Sequence, residues 1–438
     1  MINSRLIQLL RTLNSRELTA LEDFLASPAH TAHSYNLTFF QQLRKYAPAF
    51  DQPGLDKGRF LKKHANELDA KQLSYRLSEL TELTEQFLQW QAYLADEWRQ
   101  ALDLYRIGGE RQLPALRNKA QRRIERWLEQ SPHRDATYYR RAYAWARLQH
   151  LQLTRPERDF QPHLQHAAHA LDDWFAVEKL RYQWEMTNLE QMMADRYDHG
   201  LPVEAHERAP AVVEWYQQAL LLQKDPSATE TYFALRRQLM EADQLLPPSE
   251  VKALYTGLLN FCTRRLNQFA DERFRREYFL LNQHLLDKGW LLEGGRLSPW
   301  RYLNLAAAAL AVEEEDWVAD FVEDYRSFLP PGMTDSPYGY ARAQLLYQRG
   351  QLADAQRALA QVAFEEPFFN AAVRLLLIKI LYDAGETELL FNQLEANRLF
   401  FLRDTAMDAR RKAPLRNFNE WVRRLARLLP KDRKGAAQ

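Results

Sequence analysis

The chain has 438 residues, a net charge of +1, a hydrophobic fraction of 46% and a single cysteine, Cys262. That length fits two or three domains or one long repeat array, and one cysteine excludes both an intrachain disulfide framework and a multi-cysteine zinc site. Only 14 residues are glycine, which argues against nucleotide-binding α/β folds because their loops need glycine. The sequence has no signal-peptide pattern and no uncharged apolar run of about 18 residues, so we expect a soluble, cytoplasmic protein.

Residues 1–68 predict a compact N-terminal helical module. Asn14 and Glu17 form a capping-box pattern that opens a helix, and Ser27-Pro28 ends it. The segments LNSRELTALEDFLASPAH, LTFFQQLRKYAPAF and LSYRLSELTELTEQFL follow one another over roughly the first hundred residues. Together they resemble the N-terminal part of a family of functionally unassigned bacterial helical proteins, and this resemblance implies no activity.

Residues 69–106 predict one long connecting helix. Apolar residues recur at helical steps, and no glycine or proline occurs between Lys71 and Ile107. A continuous helix would span roughly 50 Å, and Gly108-Gly109 would end it. Two helices with a kink between them remain an alternative.

Residues 107–295 predict a middle region of further helices, punctuated by prolines. Its widely spaced tryptophans favour packing between helices, with a ligand groove as the alternative; they are Trp127, Trp145, Trp174, Trp184 and Trp215. Pro247-Pro248-Ser249 predicts a helix start with Ser249 as the N-cap. Gly294-Gly295 marks a loop and the end of this region.

Residues 296–402 predict degenerate helix pairs, of which the stretch from Pro337 to Pro367 is the best formed. The residues expected to pack it share one face on each of two helices or mark their ends, and they are Ala343, Leu346, Gly350, Ala355, Leu359, Val362 and Pro367. Small residues let two helices approach closely, and glycine takes the left-handed conformation at a helix C-terminus. The spacing resembles a tetratricopeptide repeat.

Neighbouring stretches match this unit less well. The first pair is expected to use Ala307, Leu310, Ala319 and Pro331. The third follows at an offset of 35 residues, with Tyr382 and Gly385 matching Tyr347 and Gly350, but Leu390 and Asn397 replace Ala355 and Val362. The resemblance implies an all-α fold of antiparallel helix pairs that form a tetratricopeptide-like α-solenoid behind the N-terminal module.

Residues 403–438 predict a basic C-terminal capping helix and tail. Eleven residues there are lysine or arginine, against four aspartates or glutamates. Trp421, Leu425, Leu428 and Leu429 are expected to give the helix its apolar face. The last eight residues, from Lys431, are expected to be frayed.

Basic helices at 111–147 and 403–434 suggest contact with phosphate groups. The residues expected to make an anion or nucleic-acid contact are Arg122, Arg123, Arg140, Arg423, Arg424 and Arg427. The acidic run from Glu313 to Asp316 supports a competing interpretation, in which opposed charges pair within a nearly neutral chain.

Motifs for catalysis are scarce. The sequence has no phosphate-binding glycine loop, and Ser249-Glu250-Val251-Lys252 lacks the companion motifs of serine acyl-transfer enzymes. His163, His166 and His169 fan around a helix, so a solvated or packed face is expected rather than a metal site. We therefore expect no enzyme and no cofactor. The leading hypothesis is a scaffold that binds a protein or peptide on its repeat surface, and the alternative is a nucleic-acid-associated regulator.

Overall fold

The described part of the chain is built mainly of helices. The computed structural model describes residues 1–30, 33–65, 68–152, 160–192, 196–203, 208–363, 367–404, 407 and 409–428. Within these ranges regular structure is helical, apart from one isolated bridge between Glu293 and Arg296. The expected all-α class is therefore confirmed for the described residues. In that part of the chain, every helix is too short or too polar to span a bilayer.

The helices are distributed over two compact units. Unit 1 comprises residues 1–131 and 140–171, and unit 2 comprises residues 132–139 and 172–438. Before residue 200, the α-helices of the described residues are α1 (Arg5–Thr12), α2 (Ser15–Ala26), α3 (Tyr35–Arg44), α4 (Lys57–Lys63), α5 (Ala70–Ala95), α6 (Glu97–Glu110), α7 (Pro114–Gln130), α8 (Ala136–Leu151) and α9 (Phe160–Met192). Helices α8 and α9 contribute residues to both units.

The first core of unit 1 is built from α1 to α5. Leu10, Phe39 and Leu80 are fully buried in it. The predicted capping box is confirmed at α2: the Asn14 side chain accepts from the amides of Arg16 and Glu17, and Glu17 accepts from the Asn14 amide at 2.8 Å. Because α5 packs against α1, α2 and α3, it completes this core rather than bridging two modules.

The single helix expected at residues 69–106 is wrong. Helix α5 ends at Ala95, and Asp96 starts α6 by accepting a hydrogen bond from the Arg99 amide at 3.1 Å. Gly108-Gly109 does not end that helix, which continues to Glu110. A Cβ at Gly108 would lie 3.0 Å from the backbone nitrogen of Arg117 on α7. This glycine therefore allows two helices to pack closely, and its value lies in its small size.

Unit 2 contains a run of helix pairs after α9. Its helices are α10 (Ala211–Lys224), α11 (Thr229–Ala242), α12 (Pro248–Phe269), α13 (Arg273–Asp287), α14 (Pro299–Leu310), α15 (Glu315–Asp324), α16 (Asp335–Gln348), α17 (Leu352–Ala360), α18 (Pro367–Asp383), α19 (Thr387–Arg403) and α20 (Ala409–Ala426). Consecutive helices from α10 to α19 pack as five pairs, and α20 packs against α18 and α19. One large core runs from Ala136 to Ile380, and a smaller one lies under α20, formed by Ile378, Leu381, Leu390, Leu394, Val422 and Ala426.

Three of these pairs share the same turn. Gly350 has φ +72°, its amide donates to Tyr347 O at 3.0 Å, and the next amide donates to Leu346 O at 2.9 Å. Gly385, with φ +70°, repeats both bonds, at 3.2 and 3.0 Å. Glu313, with φ +64°, does so at 3.2 and 3.1 Å. This is the Schellman ending of a helix, so the predicted break at Gly350 is confirmed and the offset of 35 residues reproduces its geometry.

The turns also define which residues are equivalent. Five residues after each left-handed residue stand Val318, Ala355 and Leu390, all fully buried. Nine residues after it stand Val322, Leu359 and Leu394, also buried. The shared position therefore does not always carry a small side chain, since valine and leucine fill it in the neighbouring pairs, and each pair buries the side chain that it has.

The register expected for the first pair is shifted by one residue. Ala306 is fully buried at the position equivalent to Ala343, whereas Ala307 is exposed. Val318, rather than Ala319, occupies the Ala355 position. The sequence pattern did not show the correct register because Glu313, rather than a glycine, adopts the left-handed conformation at this turn.

Three further predicted boundaries are wrong. Helix α17 ends at Ala360, so Val362 lies beyond the helix, although it packs half-buried against the same core as Ala355. Pro367 is the first residue of α18 rather than the end of α17. Proline is favoured at the first position of a helix because its φ is already helical and its missing amide hydrogen is not needed there. Ser249 is the second residue of α12 and does not cap it, because the helix begins at Pro248.

Candidate peptide-binding groove

A groove of about 340 Å³ opens between α16, α18 and α20. Three helix faces line it, with residues spaced three or four apart, and they are Tyr340, Gln344, Ala372, Leu375, Leu376, Lys379, Pro414, Leu415 and Phe418. Helix α18 can supply one wall because it is apolar on both sides: Ile378 and Ile380 are fully buried behind the wall. The groove therefore offers a mainly apolar surface of the size that holds a few side chains.

The third wall of the groove depends on how α20 packs against the neighbouring helices. Asn419, Val422 and Ala426 are its buried residues, and the Asn419 amide nitrogen donates to Leu394 O at 3.1 Å. These side chains are small enough for close contact with α19. The apolar face predicted for this helix is therefore wrong: the exposed fractions of Trp421, Leu425 and Leu428 are 62%, 49% and 81%, and Leu429 lies outside the described residues.

An ion-pair network holds α20 against α19. The Arg398 guanidinium donates to Glu395 Oε1 at 2.7 Å, and Arg423 on α20 donates to Glu395 Oε2 at 2.8 Å. These two hydrogen bonds, that from Arg398 first, lower the pKa of the Glu395 carboxyl to about 2. Arg423 is therefore engaged within the protein, contrary to the anion-contact role expected for it.

Polar groups are few in the groove. Gln344 Nε2 lies 3.5 Å from the Tyr340 hydroxyl, and burial raises the pKa of that hydroxyl to about 12. The side-chain oxygen of Gln344 is buried and accepts no hydrogen bond from the described residues. Lys379 Nζ lies 6.0 Å from the centre of the Phe418 ring. The described lining of the groove thus offers one cation, Lys379, and few other polar groups.

Two other cavities are less well suited to a ligand. One of about 390 Å³ lies between α19 and α20, where Lys412 is paired with Asp404 at 3.0 Å and Arg398 with Glu395. Another of about 380 Å³ lies beside Arg296, whose guanidinium donates to Ser327 O at 2.9 Å. In both, the hydrogen-bonding groups of these cations are used by the protein itself.

The remaining predicted contact residues fall into two groups. Arg122 and Arg140 are exposed and Arg123 is half-buried, all three in unit 1. In unit 2, Arg424 and Arg427 are exposed, and the Arg424 guanidinium lies 5.3 Å from the centre of the Trp421 ring. The anion or nucleic-acid contact expected for these arginines stays a prediction.

The acidic run pairs with arginines of neighbouring helices. Arg349 contacts Glu315 at 3.4 Å and Asp316 at 2.9 Å, and Arg276 contacts Glu314 at 2.7 Å. This is the pairing within the protein that the competing interpretation expects, although the partners come from neither predicted basic segment.

Cys262 and the three histidines of α9, His163, His166 and His169, are the remaining residues with reactive or metal-binding side chains that the sequence singles out. Cys262 is fully buried, it donates to the Tyr232 hydroxyl at 3.2 Å, and burial raises the pKa of its thiol to about 12. Such a thiol is protonated at neutral pH. His166 is exposed and His169 contacts Gln165 at 2.6 Å. Among the described residues, no group of three histidine, cysteine or carboxylate side chains is placed to hold a metal ion.

Neither a family model, nor a curated protein, nor a solved structure matches this chain. The resemblances to tetratricopeptide repeats and to an unassigned bacterial family therefore stay expectations. The sequence did contain a signal for the groove, namely the apolar run from Leu375 to Leu381, interrupted only by Lys379. A helix that is apolar all round is covered on more than one side.

Proposed function

We propose that this protein is a non-enzymatic, cytoplasmic scaffold that binds a segment of another protein on a tetratricopeptide-like array. The observation that carries this proposal is the groove between α16, α18 and α20. Its apolar walls favour side-chain burial, and apolar burial is the main favourable term in protein association. The shared turns at Gly350 and Gly385, which end α16 and α18, support a repeat origin for these two walls of the groove.

The composition of the groove favours recognition over catalysis. A reactive site brings several ionisable groups together in one pocket, whereas Lys379 is the one charged residue among the described lining. A cleft with one cation and apolar walls suits recognition of a segment by shape and charge, which is the common use of helical-repeat surfaces.

Ala372 provides the test, because it lies in the groove lining and is half-buried on α18. Displayed random peptides of about sixteen residues, long enough for about four helical turns, are selected against the whole protein. Enriched peptides should bind at least about tenfold more weakly to Ala372→Arg, a difference of about 1.4 kcal/mol in binding free energy, because the new side chain fills the groove.

Ala353→Arg is the matched control, because Ala353 is exposed on α17 and does not line the groove. It should bind the same peptides as the wild-type protein does. Circular dichroism melts establish that both variants are folded. Enriched peptides that bind all three proteins alike, or a selection without enrichment, would exclude this function for the groove.

Nucleic-acid binding is the second candidate, and one feature of unit 1 favours it. Lys119, Arg122 and Arg126 are exposed at spacings that place them on one face of α7. A labelled single-stranded oligonucleotide should then bind with an affinity that falls steeply with salt, and Arg122→Glu should weaken it. Lys71→Glu, at an exposed lysine on α5, is the control that makes the same change in net charge.

A further inference from the structure

Helix α20 and the turn after it carry a row of apolar residues, of which the last three are exposed in the described part of the chain. Pro414, Phe418, Trp421, Leu425 and Leu428 follow one another at steps of four, three, four and three residues, and we call this row the α20 seam. Phe418 and Pro414 belong to the groove lining, and the three later residues are exposed. The groove therefore continues along α20 as one apolar strip.

The spacing of the seam indicates a helical partner. Alternating steps of three and four residues are the pattern by which one helix packs along another, with side chains inserted into the spaces of the facing helix. From Pro414 to Leu425 the seam spans roughly 17 Å, about three helical turns, and Leu428 lies in the turn that follows α20. A partner helix of that length can bury Trp421 and Leu425 and place its first side chains in the groove.

Positive charge lies on both sides of the strip. Lys379 stands at its α18 side, next to Phe418. Arg424 lies on the other side of the seam, directly before Leu425 in the sequence. This corresponds to a position that flanks the apolar seam of a coiled coil, where charged residues determine which helix is bound. Arg424 lies against the Trp421 ring, which holds the guanidinium beside the seam. A partner with acidic residues flanking its own apolar row satisfies both cations.

Two other occupants fit less well. A second copy of this face would bring Arg424 and Lys379 near the same cations, and like charges in an interface disfavour association. A membrane surface can take an exposed tryptophan and flanking arginines. However, the strip continues into a groove of about 340 Å³ with walls from three helices, a concave surface that fits the side chains of a helix and that the flat surface of a bilayer does not fill.

We propose that the groove and the α20 seam together bind an acidic amphipathic helix of another protein. This inference rests on the proposed function and specifies the partner. Apolar residues at steps of three and four contact Phe418, Trp421 and Leu425, and flanking aspartates or glutamates contact Lys379 and Arg424. Part of the binding energy is therefore electrostatic and falls as salt concentration rises.

The peptides selected against the whole protein supply the first test. Those that depend on Ala372 should be enriched in acidic residues and should carry apolar residues three and four apart. One such peptide is then synthesised in two forms, with glutamate or with lysine at its exposed positions. The glutamate form should bind at least about tenfold more tightly, about 1.4 kcal/mol in binding free energy.

Charge reversal on the protein supplies the second test. Lys379→Glu and Arg424→Glu should each weaken binding of the glutamate peptide severalfold and improve binding of the lysine peptide. Arg416→Glu is the matched control, since Arg416 is exposed on the same helix but lines the cavity toward α19. It makes the same change in net charge and should leave the affinities close to those of the wild-type protein.

The outcomes separate this inference from the function on which it rests. If Ala372→Arg abolishes peptide binding but the lysine peptide binds as tightly as the glutamate peptide, the acidic partner is wrong and the peptide-binding function stands. A membrane role is tested with vesicles of phosphatidylcholine and phosphatidylserine. If the wild-type protein sediments with the vesicles, Trp421→Ala does not, and the glutamate peptide does not prevent this sedimentation, the seam binds a membrane and the inference is overturned. Loss of acidic-peptide binding in both reversal variants, with Arg416→Glu unchanged, supports it.

Discussion

Gly257 on α12 allows a close contact with Trp184 of α9. A Cβ at this position would lie 2.9 Å from Trp184 Cζ2 and closer still to Cη2. The indole is buried, with an exposed fraction of 4%, so it has little space into which to move. We therefore expect Gly257→Ala to destabilise unit 2, although alanine is the better helix former.

The size of the effect follows from two opposing terms. Replacing glycine by alanine inside a helix stabilises it by about 1 kcal/mol. Overpacking a well-packed core costs typically about 1–3 kcal/mol, and a rigid buried ring places this contact near the upper end. The net loss in free energy of unfolding should be about 2 kcal/mol. Urea denaturation followed by circular dichroism measures it.

A second substitution tests the cause. The Trp184 indole N–H is buried without a partner among the described residues, so Trp184→Phe removes both the crowded ring edge and an unpaired donor. The double variant should be more stable than the two single changes predict, by at least about 1 kcal/mol, as expected for residues in contact. If Gly257→Ala is as stable as the wild-type protein, or if the two changes are additive, the contact does not limit this position.

Three further predictions concern the helix pairs and the attachment of α20. Ala355→Leu should lower the free energy of unfolding by about 1–3 kcal/mol because Ala355 is fully buried, whereas Ala353→Leu, at an exposed position on the same helix, should stay within about 0.5 kcal/mol in urea denaturation. Gly350→Ala should destabilise its turn by about 1–2 kcal/mol because the left-handed conformation disfavours a Cβ, whereas Glu313→Gly at the equivalent turn should stabilise the protein. Thermal melts should therefore show a lower melting temperature for Gly350→Ala and a higher one for Glu313→Gly. Shifts of the same sign would contradict the shared turn. The folded-state pKa of Glu395 is lowered to about 2, so its contribution is fully present above the unfolded value and is lost as pH falls from roughly 4.5 toward 2. The difference in melting temperature between the wild-type protein and Glu395→Gln should accordingly shrink over that range, and a constant difference would show that the carboxylate does not stabilise α20.

Local signals in the sequence predicted local structure. The capping box at Asn14 and the left-handed glycine at Gly350 are confirmed because each depends on residues a few positions apart. A glycine that is needed for its small size did not correctly predict the end of a helix. Gly108 lies inside α6 because α7 approaches it closely, and a contact between two helices has no signal within either one.

The candidate site was harder to predict for the same reason. The pattern of α20 contains two apolar rows, one with Val422 and Ala426 and one with Trp421 and Leu425. The larger residues were expected to be buried because they lose more by contact with water. The structure buries the smaller row, since close approach to α19 requires small side chains. Which row faces solvent depends on tertiary packing, so the groove and its extension along α20 could not be placed from the sequence.

The separate small core under α20 has a consequence for how unit 2 opens. In a protein with separate hydrophobic cores, different regions unfold locally at different free energies, and the region with fewer buried contacts unfolds first. Amide hydrogens of α20 should therefore exchange with solvent sooner than those of α12, whose Leu254 and Leu258 lie in the large core. A ligand that packs along α20 adds contacts to the part that opens first, so slower exchange in that helix would report binding before any change in global unfolding.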